Sequence, residues 1–365
     1  MAQITVASGR CWQYSHYIGR QGGAGTGFGQ PVAVVTDKDG VLFVANRGGA
    51  GRISKVTVDE DFLKEFGRVE VQANPFGPAA PTEQENPFVW LTGIAMDQDE
   101  NVYASDEWRN RITVFDHDGE MLRTWGEAGE GEGQLNGPSG MKFDDDNNVW
   151  IVNSKNSRLQ KFDKDGQYLG GFGRQGSDIG ELDLPWGMTI DNQGDIYVAD
   201  WNNHRIQKFS PDGTHLLTFG SGKRTGISAD GGTPYSHSFQ AHIEVSPKDL
   251  NHPTGVAVDG DGDVYVVDWM NERVVIFDDK ADPVATLRGD ASGLSRWAKL
   301  SIAANPDMEK AMRRVKTPEM QNYFRMPVGC AFDQANNRLL VCDTLRSRVQ
   351  VYHKDGDYMD PQFNL

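Results

Sequence analysis

A closed all-β propeller of six blades is the fold class this sequence predicts, on three observations. One phrase recurs six times, opening at Pro31-Val32-Ala33, Leu91-Thr92-Gly93, Pro138-Ser139-Gly140, Pro185-Trp186-Gly187, Pro253-Thr254-Gly255 and Pro327-Val328-Gly329. Each copy then runs through an apolar stretch and a polar turn to a second strand ending at Asn46, Asp106, Asn153, Asp200, Asp268 or Asp343. From Gly93 to Gly140 and from Gly140 to Gly187 the interval is 47 residues, the period of a propeller or solenoid unit. Finally, the sixth copy lacks a fourth strand, and the chain begins with an orphan one.

Within a copy, four short strands alternate with turns. In Pro185–Gly220 they read Trp186–Ile190, Asp195–Ala199, His204–Phe209 and His215–Phe219, separated by Asn, Asp and Gly. Four-stranded units repeated around a channel are propeller blades. Trp12–Ile18 supplies the orphan strand and is expected to pair beside Ser347–His353, which joins the chain ends and leaves no long open edge. The whole chain, 1–365, is expected as one domain. Its extra length falls in three blade-to-blade connections, 57–90, 221–250 and 291–326, all on one face. The third insertion predicts helices, because Leu294, Trp297, Ala298 and Ile302 share one helical face and Met308, Ala311, Met312 and Val315 repeat the spacing. Asn305-Pro306 and Thr317-Pro318-Glu319 offer the caps. Two uses suit such a helix: a lid over the channel mouth, or a cover on an apolar blade edge.

Composition agrees, with 42 Gly and 38% hydrophobic residues suiting many short strands and tight turns. No stretch approaches the ~20 apolar residues of a membrane span, and Met1–Arg10 lacks a signal-peptide core. The cysteines are Cys11, Cys330 and Cys342; the last two fall on adjacent strands of blade six, where a pair or two free thiols fit, and free thiols suit a cytoplasmic protein. A formal charge of −16 repels phosphate backbones, so nucleic acid is not an expected partner.

The phrases Asp200-Trp201-Asn202-Asn203-His204-Arg205-Ile206 and Asp268-Trp269-Met270-Asn271-Glu272-Arg273-Val274 resemble the NHL repeat. Blade three matches with Asn153 for Asp, whereas blades two and six put Arg109 and Arg346 where the repeat expects Asn. Blade one stretches the phrase with glycines. The resemblance implies a six-bladed propeller but no single function, since such propellers include scaffolds, RNA binders and enzymes such as the peptidyl-hydroxyglycine amidating lyase. That lyase is similar in fold and holds zinc with histidines near the starts of inner strands. The matching positions here are Val32, Thr92, Ser139, Trp186, Thr254 and Val328, so its zinc site is not expected.

Candidate functional residues gather in loops of the face that carries the insertions. Trp90, Trp108, Trp186, Trp201 and Trp269 are expected to line an apolar pocket, although tryptophan in such loops also packs between blades. Arg47, Arg109 and Arg346 form a candidate anion cluster with Glu107 as general base; an Arg in place of the repeat's Asn also suits a bond to the adjoining loop. His237 and His242 are candidate acid–base groups; their spacing with His252 is no specific metal signature.

Three apparent motifs carry no function. Gly22–Gly27 lacks the strand-to-helix context of a phosphate loop, and Gly126–Pro138 repeats as Gly173–Pro185, so it is blade linkage. Asp259–Asp263 resembles a calcium loop but would place Met270 at position twelve. Two functions follow. One is a lyase or hydrolase acting on an anionic, partly apolar small molecule at the channel mouth. The other is a non-catalytic propeller that binds a ligand or a protein partner. No cofactor is specified.

Overall fold

The computed structural model describes residues 4–49, 51–68, 88–223, 245–305, 307–308, 310, 313–314 and 321–356. Six sheets of four or more strands surround one axis, each running from an inner to an outer strand. Blade four shows the pattern: Met188–Ile190, Ile196–Asp200, Arg205–Phe209 and His215–Phe219, each antiparallel to the next. Blade six is completed by the chain's beginning, because Arg10–Ile18 pairs with Arg348–Asp355 from Cys11↔Asp355 to Ile18↔Val349. A fifth strand, Ile4–Ala7, covers its outer edge.

Two kinds of turn divide the molecule into two faces. The first-to-second and third-to-fourth strand turns form a hairpin face. There Asp37, Asp97, Asp144, Asp191 and Asp259 accept the N–H groups two and four residues on, which is why the turns are acidic. The Asp259 turn is not a calcium loop. Lys354 Nζ sits among Asp259, Asp261 and Asp263 at 2.5, 2.8 and 2.8 Å, so an ammonium fills the place of a cation and ties blade five to blade six.

The opposite, connector face holds the second-to-third strand loops and the blade-to-blade links. Here the residue ending each second strand clamps the incoming link. Asp200, Asp268 and Asp343 accept the backbone N–H of Asp183, Asn251 and Arg325 at 2.7, 2.6 and 2.7 Å. Asn153 and Asn46 do the same for Asn136 and Gly29. The arginine five residues after each Asp pairs with it, at 2.8 Å for Arg205 and 2.7 Å for Arg273 and Arg348. The same guanidinium reaches the link's carbonyls, as Arg273 does at Val245, Ser246 and Asp249. The Asp-x-x-Asn-x-Arg spacing is therefore a clip that binds one blade to the link before it. The glycine-rich run 22–27 belongs to such a link, since Gln21 bridges Phe28 in parallel as Gln175 bridges Leu182.

The glycine of each Pro-x-Gly start has a steric reason. A Cβ on Gly140 would lie 2.8 Å from Trp186 O, and one on Gly255 2.9 Å from Val328 O. Gly93, Gly187 and Gly329 face Ser139 O, Thr254 O and Val32 O still more closely. Backbones of successive inner strands thus touch at the connector end, and hydroxyls close the ring: Thr92 donates to Pro138 O, Ser139 to Trp186 O and Thr254 to Val328 O. The strands splay toward the hairpin face around a cavity of about 590 Å³.

The helix Arg296–Ala303 is capped by Ser295, whose hydroxyl accepts from Ala298 N–H. Trp297 is buried against Ile18, Phe28 and Val56 and donates to Glu60 O. This helix covers the seam between blades six and one, the second of the two uses expected of it. Residues 317–319 and much of the second amphipathic run lie outside the described residues.

Candidate functional site

The connector face carries three side-chain groups around the axis. The first joins blades four and five. Trp201 and His252 have ring centroids 4.2 Å apart, Trp201 and Trp269 6.2 Å, and His204 stands edge-on to His252 at 4.3 Å. The backbone N–H of His252 donates to His204 Nδ1 at 3.1 Å, which leaves that imidazole's proton on Nε2. Trp269 packs against the cluster that contains Val32 and Val328, next to the ring of glycines.

The second group lies where blade five meets blade six. Glu272 Oε1 is 3.5 Å from Arg325 Nε, and Arg346 interacts with both charges. Burial pushes the Glu272 carboxyl above its ordinary range, and Arg325 only partly opposes this. Burial likewise lowers the Arg346 guanidinium. Arg346 Nε also donates to Tyr323 O at 2.9 Å, as Asn271 Nδ2 does to Asp249 O at 3.2 Å, so it performs the loop bond of the repeat's Asn.

The third group spans blades one to three. The Arg47 guanidinium lies 4.8 Å over the Trp90 ring, and its burial lowers its pKa while Glu107 opposes the shift. Glu107 is held by Lys155 at 3.1 Å. The backbone N–H groups of Trp108 and Arg109 bind Asp106, and the Trp108 ring points to solvent, 70% exposed. Arg109 stands near enough to Arg111 to lower that residue's pKa further, after burial.

Among the described candidate residues Trp186 alone lines the channel cavity, whose wide end is bounded by Asp144–Asp146, Asp191, Asn192 and Gln334 of the hairpin face. This cavity therefore opens away from the loops that carry Arg47, Glu107, Trp201 and Trp269. His237 and His242 lie outside the described residues. Glu272 and Arg325 join the site without having been singled out in the sequence, whereas Trp90 and His252 had been. Glu272 had one signal, since it occupies the left-handed position (φ 51°) just before the clip arginine, where His204 also stands.

All three cysteines are free; burial pushes Cys330 up to about 12 and raises Cys342 as well. Asp37, Glu100 and His117 bring one donor atom each within 4.8 Å of one another between blades one and two. They could hold a metal, but Lys55 Nζ already meets His117 Nδ1 at 3.2 Å and Lys38 pairs with Glu100 at 3.0 Å. No helix among the described residues is long and apolar enough to cross a membrane.

Comparison with known proteins agrees with this architecture. The NHL repeat family matches residues 135–162, 182–209 and 250–277, the clips of blades three, four and five. No curated protein matches the sequence. Among solved structures, a Bacteroides thetaiotaomicron protein of unknown function aligns at a TM-score of 0.61 and 14% identity, over 95% of this chain and 76% of its own. A catalytically inactive virginiamycin B lyase from Staphylococcus aureus, solved with quinupristin, aligns at 0.52 and 13% over 96% of this chain and 94% of its own. A streptogramin B lyase aligns at 0.51 and 11% over 90% and 94%. At such identities the likeness is one of fold. The chain is a six-bladed β-propeller that carries NHL repeats in blades three, four and five.

Proposed function

We propose that the connector face is the site of a small-molecule lyase or hydrolase that takes an anionic, partly apolar substrate. The observation that carries this reading is the aromatic patch Trp201–His252–Trp269 beside the Glu272–Arg325–Arg346 group. Indole faces hold an apolar body, and guanidinium groups hold a carboxylate or phosphate through paired N–H donors. Arg47 extends the cationic side across the mouth.

Glu272 is the best-placed acid–base group, because it stands among Trp269, Arg325 and Arg346 and burial raises its carboxyl above its ordinary range. Glu107 is held more tightly, by Lys155. His237 and His242 remain candidates on the segment that follows blade four. Two of the structural neighbours are lyases, which supports this reaction class at the level of fold only.

Arg346→Ala tests the cationic half, with an aryl carboxylate as probe and tryptophan fluorescence as readout. Loss of a charge-assisted hydrogen bond should weaken binding by about 1.5–3 kcal/mol, roughly ten- to a hundredfold. A lower melting temperature with unchanged binding would make Arg346 a loop fastener alone.

A scaffold role is the second reading. Leu63, Leu122, Leu169 and Leu216 occupy the same position in the fourth strands of blades one to four and are exposed by 46–52%. A row of exposed leucines around a rim suits protein contact.

A further inference from the structure

Lys142 stands on the inner strand Pro138–Phe143 of blade three and lines the channel cavity. It is the one lysine or arginine on any of the six inner strands; the matching positions are Val35, Ala95, Thr189, Ala257 and Ala331. Its side chain is exposed to the lumen yet enclosed by protein. Met96, Phe143, Val258 and Phe332 supply apolar wall.

Nearby Lys161 shows what a paired lysine looks like on this wall. It binds Asp144 at 2.8 Å and lies 5.7 Å over the Trp150 ring. No such carboxylate reaches Lys142 among the described residues. Burial lowers its pKa with no neighbouring charge contributing. The neutral form of an amine is a nucleophile, and lysines whose pKa is lowered form imines with carbonyl compounds. Asp145 and Asp146 at the wide end would repel a free anion but not a neutral molecule.

We propose that Lys142 is an imine-forming site for a neutral, apolar-bodied aldehyde or ketone that enters the channel from the hairpin face. The Nζ lone pair attacks the carbonyl carbon. The two protons lost from nitrogen leave with the carbonyl oxygen as one water, and a C=N bond remains. No oxidant or second substrate is required. This site lies across the glycine ring from the connector-face site and does not depend on it.

Reductive trapping tests the proposal. The full chain is incubated near neutral pH with hexanal and cyanoborohydride, and alkylated lysines are mapped by mass spectrometry. Lys142 should be labelled several-fold faster than the exposed Lys38, Lys64 and Lys310. Lys142→Met should melt like the wild type and leave labelling at those three unchanged. Labelling of Lys142 no faster than the exposed lysines would overturn the proposal. So would unfolding of Lys142→Met and Lys142→Arg alike, since the amine would then be structural.

Discussion

Asp268 is fully buried and accepts from Asn251 N–H, Asn271 Nδ2 and Arg273 Nε. Asp268→Ala would leave the Arg273 guanidinium buried without its counter-charge. Breaking a buried pair in this way should cost about 3–5 kcal/mol, read from urea unfolding; a loss under about 1 kcal/mol would show that the clip behaves like a surface pair. Glu272 makes a prediction of opposite kind. Its folded-state carboxyl is raised by burial, so the folded protein binds that proton more tightly than the unfolded chain. The stabilising contribution is full below the unfolded value, about 4.3, and disappears as pH rises through the folded value. Melting temperature should fall slightly across that window, and Glu272→Gln should remove this part of the slope. Coincident curves for the two proteins would refute the shift. At this scale the sequence revealed the clip residues, because their spacing repeats. It hid the meeting of Glu272 with Arg325, two residues far apart in the chain on successive blades.

Inner strands and connectors were legible element by element, because Asp and Gly turns act locally. What the glycine spacing did not disclose is how closely the neighbouring carbonyl approaches. Gly187→Ala should push against Thr254 O and cost about 1–3 kcal/mol by overpacking. Gly23→Ala meets nothing within 4 Å and should change stability by no more than about 0.5 kcal/mol. Equal effects in thermal melts would remove the steric account of the Pro-x-Gly start. The helix Arg296–Ala303 was legible as a helix but its place was not, since an apolar stripe fits a lid and a blade edge equally well. Trp297 settles the point for this helix: it is 3% exposed, and Trp297→Ala should cost about 3–5 kcal/mol. A near-neutral change would mean that the seam closes without it.

Across the whole molecule, ring closure and the division into two faces govern what the propeller can do. The strand Arg10–Ile18 covers the edge of Arg348–Asp355, and Trp12 Nε1 donates to Tyr265 OH at 3.0 Å, linking the chain's start to blade five. The sequence led to the expectation that the insertions crowd one face, yet the helix Arg296–Ala303 bonds to Asp59, Glu60 and Asp61 in the third-to-fourth strand turn of blade one. Nor did the sequence show that the inner strands pinch at the connector face and open at the other, because the pinch depends on backbone contacts between blades. The connector face therefore offers a charged and aromatic surface, and the hairpin face the open end of the channel. Soaking crystals with a panel of aryl carboxylates separates the two directly. The account predicts density at the connector face, with the ring against Trp201 and Trp269 and the carboxylate toward Arg325 and Arg346. Density confined to the channel, or none at the connector face at saturating concentration, would contradict it.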